Sequence, residues 1–210
     1  MTSSAPCTAD PGVTPPQPST PTTRWIALAA ITTAALMVVL DASVINIALP
    51  QLQLELGMSD AARSWAVTGY AVAFGGLLLL GGRVADRFGR KRVLMVALSG
   101  FALASLIGGL AADPAWLIAA RALQGVCAAA LAPAALSLVA VTFTEPQERA
   151  RAFAFFAATQ GSGGAIGLLL GGGLTEALGW RWALFINVPI ALVALALGFS
   201  DHRWAATGEP

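Results

Sequence analysis

The chain has 210 residues, of which 57% are hydrophobic and 11% charged, with a net charge of +1. Soluble domains carry about 25% charged residues, so a soluble globular protein fits poorly, and so small a net charge gives no general attraction to nucleic acid. Two cysteines and one histidine leave no disulfide framework and no multi-histidine metal site, and the only lysine, Lys91, lies outside any phosphate-binding loop, so no cofactor is expected.

Residues 1–23 hold six of the twelve prolines among Ser, Thr and Ala, and predict a disordered tail. They lack the basic start and immediate apolar run of a secretory signal. From Trp25 onward apolar runs alternate with short charged breaks. A membrane helix needs about 20 mostly apolar residues. The runs predict six such helices, at about 25–49, 62–82, 93–112, 115–142, 151–174 and 183–199, followed by a short polar tail at 201–210. None alternates as a barrel strand would. The expected fold is an all-α membrane protein, a six-transmembrane-helix bundle in the lipid bilayer. All six tryptophans, Trp25, Trp65, Trp116, Trp180, Trp182 and Trp204, fall at predicted span ends, where an indole prefers the interface.

Basic residues orient the bundle. With the N-terminus inside, cytoplasmic segments carry Arg24, Arg83, Arg87, Arg90, Lys91, Arg92, Arg149, Arg151 and Arg203, and outer segments only Arg63 and Arg181. A cell-membrane location with both termini cytoplasmic follows.

Two ionisable residues fall inside spans, Asp41 in the first and Arg121 in the fourth. Each costs at least about 2.5–3.5 kcal/mol at a span centre, so they should pair or face a wet cavity. Asp41 lies nine residues before Pro50 and Arg121 six residues after Ala115. At 1.5 Å per residue these are depths of roughly 14 and 9 Å below the same end, close enough for contact between neighbouring helices. Thr33 and Met37 share the face of Asp41, and Gln124 that of Arg121, which makes them candidate cavity residues. A purely structural salt bridge is the alternative to a proton or substrate path. Asn46 is read either as a substrate contact or as a helix–helix bond. Gln160 either lines a cavity or bonds a neighbouring helix. Gly163, Gly167 and Gly171 repeat every four residues in the fifth span and, with Gly172, predict close helix packing. Pro133 predicts a kink in the fourth span.

Gly82-Arg83-Val84-Ala85-Asp86-Arg87-Phe88-Gly89-Arg90-Lys91 follows the second span. It resembles the G-x-L-x-D-R-x-G-R-K signature of the major facilitator superfamily. Leu40 to Pro50, Arg121-Ala122-Leu123-Gln124-Gly125 and Trp180-Arg181-Trp182 with Asn187-Val188-Pro189 resemble motifs of its drug:proton antiporters with fourteen spans. The glycine run of the fifth span is similar to that family's antiporter motif, with Leu168 in place of a proline. The likeness covers about residues 24–200.

The resemblance implies the N-terminal half of a secondary transporter that expels small lipophilic compounds in exchange for protons. Asp41 and Arg121 would then couple the proton, because protonation loosens their pair and biases a rocking motion. Gly82, Asp86, Arg87, Gly89, Arg90 and Lys91 would gate the cytoplasmic side. A fragment without transport activity is the other reading. With no second half present, the faces of spans one and four would border lipid, and Asp41, Arg121 and Gln124 would lose wet surroundings. The partner would be a C-terminal half or a second copy. An intramembrane enzyme is not expected, since no histidine lies in a span to serve as a base.

Overall fold

The structure, a computed structural model, describes residues 21–199. Most of the tail predicted at 1–23 and the one at 201–210 lie outside these residues, with Cys7, His202, Arg203 and Trp204. Pro21, Thr22 and Thr23 already belong to a helix.

Among the described residues seven helices follow one another: α1 (Pro21–Glu55), α2 (Asp60–Phe88), α3 (Arg90–Gly109), α4 (Pro114–Thr142), α5 (Pro146–Leu178), α6 (Arg181–Phe185) and α7 (Asn187–Phe199). Helices α6 and α7 together make the sixth of six stretches long and apolar enough to cross a membrane. Each stretch overlaps the corresponding predicted span.

The helices overrun the apolar runs because polar residues carry them beyond the hydrocarbon. Ser59 and Asp113 cap α2 and α4 by accepting from the N–H groups of Ala62 and Trp116. The segment expected to break the chain at 82–92 is almost entirely helical. Only Gly89 interrupts it, at φ +89°, a conformation glycine adopts without strain. Between α6 and α7 stands Ile186, three residues before Pro189, with a backbone that stays right-handed helical at φ −60° and ψ −26°. A proline ring clashes with the carbonyl four residues earlier, here that of Phe185, where α6 ends. Pro50 and Pro133 lie inside α1 and α4, which run on as single helices.

Helix α1 is the most buried of the spans and α2 and α5 the least. Helix α1 packs chiefly on α5 and α7, while α4 packs on α2 and α3. Two apolar clusters fill the interior. The larger includes Leu28, Ile31, Met37, Phe101, Leu131 and Phe143; the smaller includes Val44, Ile45, Leu52, Leu117, Trp180 and Leu184. Along both α1 and α4, Asp41 and Arg121 fall between the two clusters.

The tryptophan expectation needs one correction. Trp25, Trp65, Trp116 and Trp182 are exposed at helix ends, but Trp180 is fully buried. Its indole N–H donates to Glu55 Oε2 at 2.5 Å, and Arg181 bonds the other oxygen at 2.7 Å. A partner for the N–H removes the reason to seek the interface.

Helices α2 and α4 approach so closely that a methyl group does not fit between them. A Cβ at Gly81 would overlap the Ala129 carbonyl, and one at Gly125 the Tyr70 carbonyl. Gly76, five residues earlier on the same helix, faces open space. Gly81→Ala should therefore cost about 1–3 kcal/mol by overpacking, whereas Gly76→Ala should leave stability unchanged or raise it. Thermal unfolding of the two variants in detergent measures the difference. Equal midpoints would show that α2 and α4 do not cross this closely.

Candidate functional site

Five polar side chains meet in a sealed layer between the two apolar clusters. They are Asp41 of α1, Ser105 of α3, Arg121 and Gln124 of α4, and Asn187 at the start of α7. Each is at most 1% exposed. Arg121 Nη1 donates to Asp41 Oδ2 at 2.5 Å and to Gln124 Oε1 at 2.8 Å. Gln124 Nε2 donates to Asp41 Oδ1 at 3.1 Å and to Ser105 Oγ at 2.6 Å. Asn187 Nδ2 donates to the same two acceptors, at 2.7 and 3.2 Å. Arg121 Nε donates to the Ala66 carbonyl of α2 at 3.3 Å, using its second lone pair. The guanidinium carbon stands 4.5 Å from the centroid of the Tyr70 ring. Helices α1, α2, α4 and α7 thus bond or stack on one ion pair, and α3 joins them through Ser105, which accepts from Gln124 and Asn187.

Asp41 and Arg121 are in direct contact, but they do not border lipid or a wet cavity. Helices α3 and α7 close over them with Ser105 and Asn187. Gln124, expected to line a cavity, is spent on the same network. Met37 is fully exposed to neither solvent nor cavity: it packs in the larger apolar cluster. Thr33 is half-buried and stays outside the polar layer. Asn46 makes no helix–helix bond among the described residues. Its amide donates back to the Ala42 carbonyl of its own helix at 2.6 Å, and the residue is exposed.

Gln160 of α5 lines a half-open cavity of about 310 Å³ together with Ala35, Val38 and Val39 of α1, Phe74 of α2 and Leu131 of α4. Gln160 is the one polar side chain in the lining, which Ala132, Leu136 and Phe156 complete. Its Nε2 is buried and has no hydrogen-bond partner. A donor left unpaired in an apolar wall favours an acceptor presented to it.

The glycine face of α5 lies on α1. A Cβ at Gly163 would come within 2.7 Å of Leu36, one at Gly167 within 2.6 Å of Ser43, and one at Gly171 within 3.0 Å of the Val44 Cα. Gly172 takes no part, since nothing stands within 4 Å of a Cβ there. One residue further along turns it about 100° off that face. Leu168 is exposed and α5 is unbroken through it.

In the segment at the basic end, Gly82 is not a turn residue: it sits inside α2 with its Cβ position 3.7 Å from Pro133. Asp86 Oδ1 accepts from Arg90 Nη2 at 3.0 Å and Nε at 3.2 Å, tying α2 to α3 across Gly89. Arg87 stands over the Phe88 ring. Asp86 and Arg87 are exposed, and Arg90 and Lys91 half-buried.

Ser105 and Asn187 were not picked out as site residues from sequence. Depth could have found Asn187: it lies six residues after Arg181, as Arg121 lies six after Ala115. Both are then roughly 9 Å below the same end.

The ion pair makes a double-mutant test. Removing one partner leaves an uncompensated buried charge, costing about 3–5 kcal/mol. Arg121→Met combined with Asp41→Leu should cost less than the sum of the two single changes, by about 0.5–3 kcal/mol. Unfolding of the four proteins in one detergent measures the cycle. Strict additivity would mean the two groups do not interact.

Residues 31–204 match the family model described as Major Facilitator Superfamily. The puromycin resistance protein pur8 of Streptomyces alboniger is 61% identical over 82% of this chain and 34% of its own length. The cephamycin export protein CmcT of Amycolatopsis lactamdurans is 50% identical over 83% of this chain and 36% of its own. The chain therefore spans about a third of the length of these relatives. A bacterial homologue of the lysosomal transporter Spinster, solved facing inward, superposes with a TM-score of 0.73 at 23% identity, over 88% of this chain and 44% of its own. The likeness to that structure shows the shared fold. On the family match and the two relatives, the six-span chain belongs to the Major Facilitator Superfamily.

Proposed function

We propose that the chain is the N-terminal half of a drug:proton antiporter and works as part of a longer carrier. It would expel small lipophilic compounds of antibiotic type across the cell membrane, in exchange for protons. The observation that carries this reading is the sealed pair of Asp41 and Arg121. An ion pair that serves stability alone is poorly repaid inside an apolar bundle, because well-packed apolar residues do as well or better. A pair that can be opened by a proton repays its cost in coupling. Asp41 is the proton carrier in this scheme and Arg121 its counter-charge. Asp41 is charged and held while the pair is closed. Protonation cancels the attraction and releases α1 from α4, and the bundle moves to its other state.

The cavity beside Gln160 supplies the substrate side. Its volume of about 310 Å³ is at the lower end for a small-molecule site and its walls are apolar. It has no charged residue in its lining, so it favours a lipophilic body with a hydrogen-bond acceptor turned to Gln160. The cavity is half-open, and the rest of a longer carrier, or less readily a second copy, would close it. Exposed Asp86 and Arg87, at the basic end, are placed to meet that second half and gate that side.

The names of the relatives make puromycin a direct probe. In inverted vesicles carrying the full carrier, an imposed pH gradient should drive puromycin uptake. Asp41→Asn should abolish the dependence on the gradient. Gln160→Leu should weaken apparent affinity by roughly tenfold or less, the worth of one hydrogen bond, and keep the coupling. Gradient-driven uptake that survives Asp41→Asn would reject the assignment of the proton.

Orientation is tested separately. The basic end, with Arg24, Arg83, Arg87, Arg90, Lys91, Arg92, Arg149 and Arg151, is placed in the cytoplasm. Cys7 should then react with a membrane-impermeant thiol reagent only after cells are opened, in a Cys127→Ala background. Labelling of intact cells would reverse the topology.

A further inference from the structure

The polar layer has one atom out of place. Asn187 Oδ1 is buried and has no hydrogen-bond partner, while its Nδ2 serves both Asp41 and Ser105. The orientation is forced, because turning the amide over would put an oxygen against the carboxylate. Around charged Asp41 every contact is a donor: Arg121 Nη1, Gln124 Nε2 and Asn187 Nδ2. A protonated Asp41 is itself a donor and needs an acceptor among them. Arg121 has none. Gln124 has one, but its Oε1 is held by Arg121 at 2.8 Å. Turning Gln124 over would break that bond. Turning Asn187 over breaks no bond to its oxygen, which has no partner to lose. The torsion concerned is broad and roughly two-fold.

We propose that Asn187 is the acceptor of the coupled proton's hydrogen bond: its amide turns over when Asp41 is protonated. This rests on the reading of Asp41 as the proton carrier and goes beyond it. The proton adds to Asp41 Oδ1, since Oδ2 faces the guanidinium. The new O–H then donates to Asn187 Oδ1. Ser105, which accepts from both amides in the charged state, can turn its hydroxyl to donate to the same oxygen. The Nδ2 group moves to the position that Oδ1 held, where it has no acceptor. The charged state thus leaves one acceptor unpaired, and the neutral state leaves a donor group unpaired. Asn187 opens α7, next to Ile186. Protonation of α1 is in this way felt first at the start of α7. The other titratable or charged groups facing Asp41 are Arg121 from α4 and Tyr70 from α2. Helix α3 presents Ser105, and α5 presents Gly167 against the neighbouring turn of α1.

The chain contains two asparagines, Asn46 and Asn187, so asparagine-selective ¹³C,¹⁵N labelling gives two side-chain signals. The unmodified chain, in lipid bilayers, is titrated by solid-state NMR and, in parallel, by infrared spectroscopy. The carboxylic C=O band of Asp41 is the one absent from Asp41→Asn. As that band grows with falling pH, the side-chain ¹³C and ¹⁵N signals of Asn187 should move with the same midpoint. Those of Asn46 should stay. In Asp41→Asn, Asn187 should not move. In Asn187→Leu the Asp41 band should rise in frequency, as a weaker hydrogen bond requires. A growing Asp41 band with a stationary Asn187 would overturn the proposal and leave the proton assignment standing. No Asp41 band at any pH would overturn both.

Discussion

A carboxylate in the middle of an apolar bundle dictates where the surrounding helices go. Asp41 accepts bonds from Arg121, Gln124 and Asn187. Hydrogen bonds to charged groups contribute about 1.5–3 kcal/mol each, and placing two charges at span centres costs about 2.5–3.5 kcal/mol each. Three such bonds, about 4.5–9 kcal/mol together, are of the same size as that combined cost of about 5–7 kcal/mol. One of the three comes from Asn187, which ties the sixth span to α1 at this depth. The guanidinium likewise reaches α2 through Ala66 and Tyr70. The packing order follows from satisfying one charged pair.

Such a pair needs backbones close enough for short side chains to meet. Gly125 allows α4 to lie on α2 one turn from Arg121, and Gly81 does the same further along. Gly163, Gly167 and Gly171 let α5 lie on α1 on the side away from α4. In lipid no hydrophobic force gathers helices, so close van der Waals packing and polar bonds must do it. The structure separates the two jobs. Glycines carry the outer contacts of α2 and α5, and polar bonds carry the centre.

This division explains what the sequence reveals and what it conceals. The six spans are legible because length and hydropathy suffice for them. The contact of Asp41 with Arg121 is legible because two charges in apolar runs at matching depth have few other choices. The glycine face is legible from spacing, apart from Gly172, which spacing alone does not exclude. Ser105 and Asn187 stay hidden, because a hydroxyl or amide in an apolar run becomes a site only once its neighbouring helices are known. Met37 and Gln124 mislead for the same reason: a shared face says nothing of which helix covers it. Trp180 departs from the interfacial rule because Glu55 reaches its indole N–H, a contact between residues 125 apart in sequence.

Helix α1 is fixed at both ends as well as at its centre. Arg24 pairs with Glu148 of α5 at 3.4 Å, and Glu55 binds Trp180 and Arg181 beside the sixth span. The two end contacts are partly exposed, where an ion pair is worth about 0–1 kcal/mol. Breaking the sealed central pair by removing one of its charges costs more, about 3–5 kcal/mol. A change of charge at Asp41 therefore outweighs both ends together. Under the proposed proton coupling it would loosen α1 from α4 while the glycine seam still holds α1 to α5, and the motion it would favour is a slide of α1 with α5 against α2, α3 and α4. The cavity beside Gln160 is lined from both groups, by Val38 and Gln160 on one side and Phe74 and Leu131 on the other. In the proposed mechanism one displacement would then link the charge state at one depth to the cavity shape at another.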